Sequence, residues 1–326
     1  MKTKRLGNSE LWVTPIGLGT WAIGGGDNPY GWGAQDDEDS IRTIQHAVDV
    51  GINWIDTAKG YGHGHSEEIV GRALKGRRDK VNIATKCGIL WKEDGSDIYG
   101  YLKAESIKRE VESSLQRLQT DVIDLYQIHW PLPDEDIEEG WQAISDLIDE
   151  GKVRYGGVSN FNVDQLKRIA PIRQVASLQP PYSMIKPEIE SEILPYCAQQ
   201  NIGVIVYSPM QAGLLSGKFT PERAAKLPAD DWRKGDPNFQ DPILSINLEM
   251  VAALQSIAER NAISMAVLAI AWTLRRPEVT AAIVGARRPS QIEETVSAGE
   301  VELSSAEWQE VEDLLVARKQ KIEEMQ

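Results

Sequence analysis

Short apolar runs alternate with amphipathic stretches along nearly the whole chain. Residues 16–20, 53–57, 82–86, 123–129, 153–159, 175–179, 203–208 and 280–285 are compact and mostly apolar. Runs of that length suit parallel strands buried on both faces. Between them, residues 38–50, 66–75, 104–118, 138–150, 163–169 and 188–200 carry apolar side chains at helical spacing. Asp39 or Ser66 suits a helix start, and Gly51 and Gly151 suit helix ends. Strands and helices in this alternation predict an α/β fold, a (β/α)8 TIM barrel.

Three stretches fall outside the repeat. Residues 4–13 predict an N-terminal β-hairpin that turns near Asn8 and Ser9 and plugs the N-terminal end of the barrel. The stretch between Ser208 and Thr280 opens with a long Gly- and Pro-bearing loop, followed by helical runs at 246–260 and 265–274. A loop that long inside a compact domain is usually functional, often a lid. An acidic, Lys-bearing helix from Ser305 onward is the last of the extra C-terminal helices. No linker, repeat or low-complexity tract divides the chain, so a single domain over residues 1–326 is expected.

Charge and cysteine usage narrow the function classes. A net charge of −14 argues against nucleic acid and anionic membrane surfaces as partners. It still allows a local basic cluster around an anionic cofactor. Two cysteines, Cys87 and Cys197, make no disulfide framework, and the first residues lack the apolar core of a signal peptide. A reducing cytoplasm is therefore the expected location. No run approaches the roughly 20 apolar residues needed to span a bilayer.

Asp56, Lys86 and His129 each end an apolar run, and Tyr61 follows in the loop after the first. Parallel barrels carry their chemistry at the C-terminal ends of their strands. A hydride delivered to a carbonyl carbon leaves an alkoxide that must gain a proton. Tyrosine is a candidate donor, with an unperturbed pKa of about 10, and a neighbouring ammonium favours its phenolate. Lys86 is placed to supply that charge, Asp56 to hold Lys86 in an ion pair, and His129 to hydrogen-bond the carbonyl oxygen. One phenol then serves as acid for reduction and base for oxidation. Singly these residues are ordinary; their order along successive strand ends sets them apart.

The segments GINWIDTAKGYGHGHSEEIVGRAL, IATKCG, SLQRLQTDVIDLYQIHWP, GKVRYGGVSNF and LQPPYS together resemble the aldo-keto reductase superfamily. QPPYS and DDWRKGDPNFQ are similar to its bacterial branch, and the likeness covers nearly the whole chain. The resemblance implies a TIM barrel that reduces aldehydes or ketones with NADP(H). It also implies a tetrad of Asp56, Tyr61, Lys86 and His129, with Tyr61 as proton donor. A monomer acting on a small-molecule carbonyl substrate is expected.

Polar groups at the remaining strand ends suit a dinucleotide. Ser159, Asn160 and Gln179 are candidates for the nicotinamide carboxamide, and Tyr207 offers a flat face to its ring. Ser208, Pro209, Gly213 and Leu214 are placed to line the pyrophosphate, where backbone N–H groups matter as much as side chains. Lys218 and Arg233 are placed to close over the phosphates. Gly285, Ala286, Arg287, Arg288, Gln291 and Glu294 follow the last strand into a helix whose N-terminus suits the adenosine 2′-phosphate. The resemblance supports these as NADP contacts and adds Thr20, Trp21 and Asp56 near the nicotinamide. Thr295 stands where many relatives carry Asn, and Gly285-Ala286 replaces the Lys-Ser pair of the vertebrate-type branch. Phosphate recognition then leans on Arg287 or Arg288.

Other signals weigh less. GLGTWA at 17–22 matches a dinucleotide fingerprint, but a Gly-rich loop follows it instead of a helix. His63 and His65 look like a metal pair, yet the chain has only four histidines and no metal is expected. Cys87 reads as a small buried residue. Trp21, Trp91 and Trp130, with Trp32 and Trp232 nearby, suggest an aromatic wall for the substrate, set against the plainer role of loop packing. The rival to an enzyme is a nucleotide-binding regulatory or scaffold barrel with little turnover; the intact tetrad argues against it.

Overall fold

The computed structural model describes residues 1–26, 30–228 and 231–325. Parts of the two expected mouth loops, 27–29 and 229–230, lie outside the described residues. The chain opens with an antiparallel hairpin, β1 (Lys4–Arg5) and β2 (Trp12–Val13). Then come β3 (Ile16–Gly19), β4 (Trp54–Asp56) and β5 (Asn82–Cys87). A second hairpin, β6 (Ile89–Trp91) and β7 (Ile98–Gly100), follows β5 directly. β8 (Ile123–Ile128), β9 (Val153–Ser159), β10 (Ser177–Gln179), β11 (Gly203–Val206) and β12 (Val279–Gly285) complete the set. β3, β4, β5 and β8 to β12 form one closed parallel barrel, β12 pairing with β3.

Helices α1 (Asp37–Asp49), α2 (His65–Ala73), α3 (Ala104–Leu118), α4 (Ile137–Asp149), α5 (Val163–Ile169) and α6 (Ile193–Gln199) connect successive barrel strands. The long loop holds the short α7 (Pro221–Ala225), and α8 (Ile243–Arg260) and α9 (Met265–Leu274) lead into β12. α10 (Pro289–Thr295) and α11 (Ser305–Glu323) end the chain. Among the described residues no single helix is long and apolar enough to cross a membrane.

A period of two along each strand explains how one barrel holds both a dry floor and a polar mouth. Trp54, Ala84 and Leu125 belong to the apolar cluster inside the barrel. Two residues further along the same strands stand Asp56, Lys86 and Gln127, all buried. The alternate positions Ile55, Ile83 and Tyr126 face outward into the larger core beneath the helices. Gly17 makes room for the floor: a Cβ there would lie 2.1 Å from the Trp54 ring.

The N-terminal hairpin seals that floor. Leu6, Leu11 and Val13 join the interior cluster, and Asn8 Nδ2 donates to Val175 O at 2.8 Å, below the start of β10. Burial of each of these apolar side chains contributes about 1.5–3 kcal/mol.

Three local expectations need correction. The helix expected over 188–200 is split into a 3₁₀ turn, Glu188–Glu190, and α6. Pro195 has no N–H to bond backwards, so it sits only in the first turn of a helix and α6 starts at Ile193. Asp39 is not the cap of α1; Asp36 is, accepting from Asp39 N–H at 2.9 Å. Ser66 lies inside α2 and is buried, with its hydroxyl bonded to Thr20 Oγ1 at 2.8 Å, so it caps nothing. Gly51 and Gly151 do follow helix ends, with φ of 94° and 78°.

Candidate active site

Asp56, Lys86, His129 and Tyr61 meet at the C-terminal mouth of the barrel. Lys86 is 1% exposed and Asp56 2%. Charges so placed are tolerated only when paired and hydrogen-bonded. Lys86 Nζ donates to Asp56 Oδ1 at 2.5 Å, to Thr57 O at 2.9 Å and to Tyr61 Oη at 3.1 Å. An ammonium has three protons and no lone pair, so these partners account for all of them. The other carboxylate oxygen, Asp56 Oδ2, accepts from Gln179 Nε2 at 2.8 Å and Gln127 Nε2 at 3.3 Å.

Tyr61 comes from a tight loop rather than a strand. Its N–H donates to Ala58 O at 3.1 Å, and Trp91 Nε1 donates to Gly60 O at 3.2 Å. Gly62 has φ of 59°, and a Cβ there would fall 1.8 Å from Gly24 O. Only glycine allows this loop to press against the first mouth loop.

The electrostatics correct one expectation. Burial pushes the Tyr61 phenol above its ordinary value; the Lys86 ammonium pulls it down, and Asp56 pushes it up again. Burial outweighs the ammonium, so the phenol is held as the neutral acid. Burial alone would lower Lys86, but Asp56 and then Tyr61 carry it above the ordinary lysine range. Burial and the Lys86 charge push His129 well below the ordinary histidine value, so the ring is neutral near pH 7. Its ring meets the Tyr61 ring edge-on at 5.8 Å. Burial holds the Cys87 thiol well above its usual range, leaving it unreactive.

Next to this set lies a second polar group on β9 to β11. Tyr207 Oη donates to Asn160 Oδ1 at 2.8 Å, and Asn160 Nδ2 donates to His129 O and Ser159 Oγ, each at 3.0 Å. Asn160 and Ser208 adopt positive φ, 63° and 57°. Gln179, expected at the nicotinamide, turns its amide N–H inward to Asp56. Thr20 Oγ1 donates to Asp56 O at 3.1 Å. Pro209 and Leu214 are buried; Gly213 has φ of 90° with open space where a Cβ would be.

The basic residues are distributed unevenly. Lys218 Nζ pairs with Glu294 at 2.7 Å at an exposed site. Arg233 is buried, bonded to Asp231 at 2.6 Å and lying 4.4 Å from the Trp32 ring centroid. Arg287 faces the first mouth loop: Nε donates to Gln35 Oε1 at 2.6 Å, and the Nη atoms to the carbonyls of Trp32 and Ala34. Its own N–H donates to Gln291 Oε1 at 2.8 Å. The Arg288 side chain is exposed and, among the described residues, its guanidinium makes no ion pair or hydrogen bond; only its carbonyl is engaged, accepting from Gln291 N–H at 3.1 Å. Gly285 and Ala286 lead from β12 toward α10.

Tryptophans ring the opening. Trp21 packs on Trp32 at 5.6 Å and Trp232 at 6.2 Å, joining the first mouth loop to the long loop. Trp91 lies on β6 and stacks on His63 at 4.0 Å. Trp130 is 41% exposed. His65 Nε2 instead meets Asp37 Oδ1 at 2.8 Å, so the two histidines of HGH face different partners.

Residues beyond the expected set also shape this site. Gln127 touches Asp56, and Glu67 receives Thr85 Oγ1 at 2.5 Å and Arg117 Nη2 at 2.6 Å just behind Lys86. Gln127 lies two residues before His129, so the strand period was a usable signal. Nothing in the local sequence points to Glu67.

A closed parallel barrel with a buried Asp56–Lys86 pair and half-buried Tyr61 and His129 at its mouth defines a class of oxidoreductase. The profile of the Aldo/keto reductase family matches residues 15–316. An aldo-keto reductase of Bacillus subtilis is 42% identical over 90% of this chain and 87% of its own. An NADH-specific methylglyoxal reductase of Escherichia coli is 37% identical over 94% of this chain and 96% of its own. The structure of a glycerol dehydrogenase from Gluconobacter oxydans superposes with a TM-score of 0.88 at 38% identity, covering 97% of this chain and 96% of that one. The chain belongs to the aldo-keto reductase family.

Proposed function

We propose that this chain reduces small aldehydes or ketones to alcohols with NADPH, acting as a cytoplasmic monomer in which Tyr61 gives the proton. One observation carries the reading: the hydrogen bond between Lys86 Nζ and Tyr61 Oη, 3.1 Å long, runs from lysine to tyrosine. The phenol proton is therefore not used on lysine and is available to a substrate oxygen. The neutral His129 offers a ring N–H to the same oxygen. Asp56 fixes Lys86, and the ammonium stabilises the phenolate left after proton transfer. In the reverse direction the phenolate accepts the proton.

The residues present fit a nicotinamide dinucleotide. Asn160, Ser159 and Tyr207 form a connected polar group beside the acid–base set. Gly213 leaves the backbone after β11 open, and Lys218 and Arg288 provide cations at the rim. When bound, the nicotinamide supplies the hydride. Trp21, Trp91 and Trp130 then form the apolar approach for the carbonyl compound.

NADH is the second reading. Its support is that Arg287 is committed to the first mouth loop, leaving Arg288 alone of that pair for a 2′-phosphate. One relative is named as NADH-specific. The test is cofactor oxidation, followed by near-ultraviolet absorbance, with a nitrobenzaldehyde and with each cofactor in turn. Faster turnover with NADPH is expected. Equal efficiency removes the 2′-phosphate assignment, and tight binding without turnover favours the scaffold.

A further inference from the structure

The loop that delivers Tyr61 has an anchor outside the acid–base set. Glu110, on α3, is 2% exposed and gathers three partners. Gly88 N–H donates to its Oε2 at 3.1 Å, and the Ser106 hydroxyl donates to Oε1 at 3.0 Å. Lys59 Nζ lies 3.4 Å from Oε2. Gly88 stands two residues after Lys86, and Lys59 two residues before Tyr61. One carboxylate thus ties the backbone just past the lysine to the loop that carries the tyrosine.

Packing and the two buried donors call for an acceptor here, but not for a charged one. Ile107, Val111 and Leu118 on the same helix are buried in the outer core. An apolar side chain at 110 would fill that face without burying a charge, and an amide would still accept from Gly88 N–H and Ser106; only the pairing with Lys59 asks for a carboxylate. Burial does raise the Glu110 carboxyl; Lys59, Gly88 N–H and Ser106 act against it. The loop is also held by the Thr57 N–H on Ala84 O, the Thr57 hydroxyl against Ser66, Thr57 O on Lys86, Gly60 O on Trp91 and the Tyr61 N–H on Ala58. Between Thr57 and Gly60, residue 59 adds a charged link, with Glu110 as its partner.

We propose that the Lys59–Glu110 pair is a positioning device that holds residues 57–61 where the Tyr61 hydroxyl meets Lys86. The proposal rests on Tyr61 being the proton donor. Misplacement of a reacting group by about 1 Å lowers rates by up to roughly 100-fold, so a loosened loop acts on the chemical step. The other partners of the pair are Gly88 and Ser106, and it acts through the loop, so the effect of loosening it falls on kcat.

The test uses the full chain with its nicotinamide cofactor. Lys59→Met, Lys59→Arg and Glu110→Gln are compared with Tyr61→Phe for kcat, KM, cofactor Kd and melting temperature. Lys59→Met is expected to lower kcat about tenfold, with KM, Kd and melting temperature near wild type. Lys59→Arg restores most of kcat. Glu110→Gln matches Lys59→Met, and the double variant is no worse than either single, as coupled residues require. If Glu110→Gln does not fold, the Lys59 pair of variants decides. Wild-type kcat in Lys59→Met beside an impaired Tyr61→Phe overturns the positioning role and leaves the proton donor standing. A wild-type rate in Tyr61→Phe overturns both. A parallel loss of melting temperature, Kd and kcat that arginine does not rescue makes the pair merely structural and also overturns the proposal.

Discussion

Gln179 reaches across the barrel, from the strand opposite β4, to donate its amide to Asp56 Oδ2 at 2.8 Å. The carboxylate is therefore held from two sides, with Lys86 on Oδ1. Gln179→Leu leaves Oδ2 with only the 3.3 Å bond from Gln127. We expect a loss of about 1–3 kcal/mol in urea unfolding. An unchanged midpoint would show that water or Gln127 replaces the bond fully.

Lys86→Met strands a buried carboxylate. The expected loss is about 3–5 kcal/mol of stability, together with nearly all turnover. Adding Asp56→Asn should recover much of the stability and none of the activity. Recovery of both in the double variant would contradict a role for the ammonium in the chemistry.

Tyr61→Phe removes the hydroxyl and leaves the ring. Cofactor affinity should stay as in the wild type while the reduction rate falls by about 10²–10⁴. Single-turnover kinetics separates the two, and a rate like that of the wild type would place the proton donor elsewhere.

His129 makes stability depend on pH. Its folded pKa lies well below the ordinary value of 6.5. The unfolded chain therefore binds more protons as pH falls below that value, and ΔG of unfolding falls with it. The contribution is complete above pH 6.5 and declines from there down through the folded pKa. His129→Gln removes this component, so the difference between wild type and variant in urea midpoint should change across that window. A constant difference would show that the ring titrates normally.

Arg287 and Arg288 should separate cleanly. Arg288→Ala is expected to raise the Kd for NADPH about tenfold or more, the range for loss of a charge-assisted bond of about 1.5–3 kcal/mol, and to leave NADH unaffected. Arg287→Ala should instead expose the first mouth loop to limited proteolysis near Trp32 to Gln35, where the three contacts of its guanidinium lie. Fluorescence titration and peptide mapping read the two effects; a reversal of roles would reassign the phosphate site.

Much of this was legible in the chain. Asp56, Lys86 and His129 each end an apolar run, and parallel barrels place such ends together. What stayed hidden depends on contacts distant in sequence. Gln179 faces Asp56 only because the barrel closes, and Glu110 sits in what reads as an ordinary amphipathic helix. The hairpin of β6 and β7 has strands of three residues, too short for alternation to show. Pro195 does carry a signal for the split helix, but the apolar spacing on either side masks it. The fate of Arg287 depended on loop carbonyls, which no side-chain pattern reveals.

The hairpin at the base makes the barrel a cup and not a pipe. Among the described residues, Leu6, Leu11 and Val13 fill the lower lumen by packing on Trp54, Ala84, Leu125 and Ile205. Arrivals and departures must share one doorway, so a compound lodged among the tryptophans at the rim would trap product inside as effectively as it keeps substrate out.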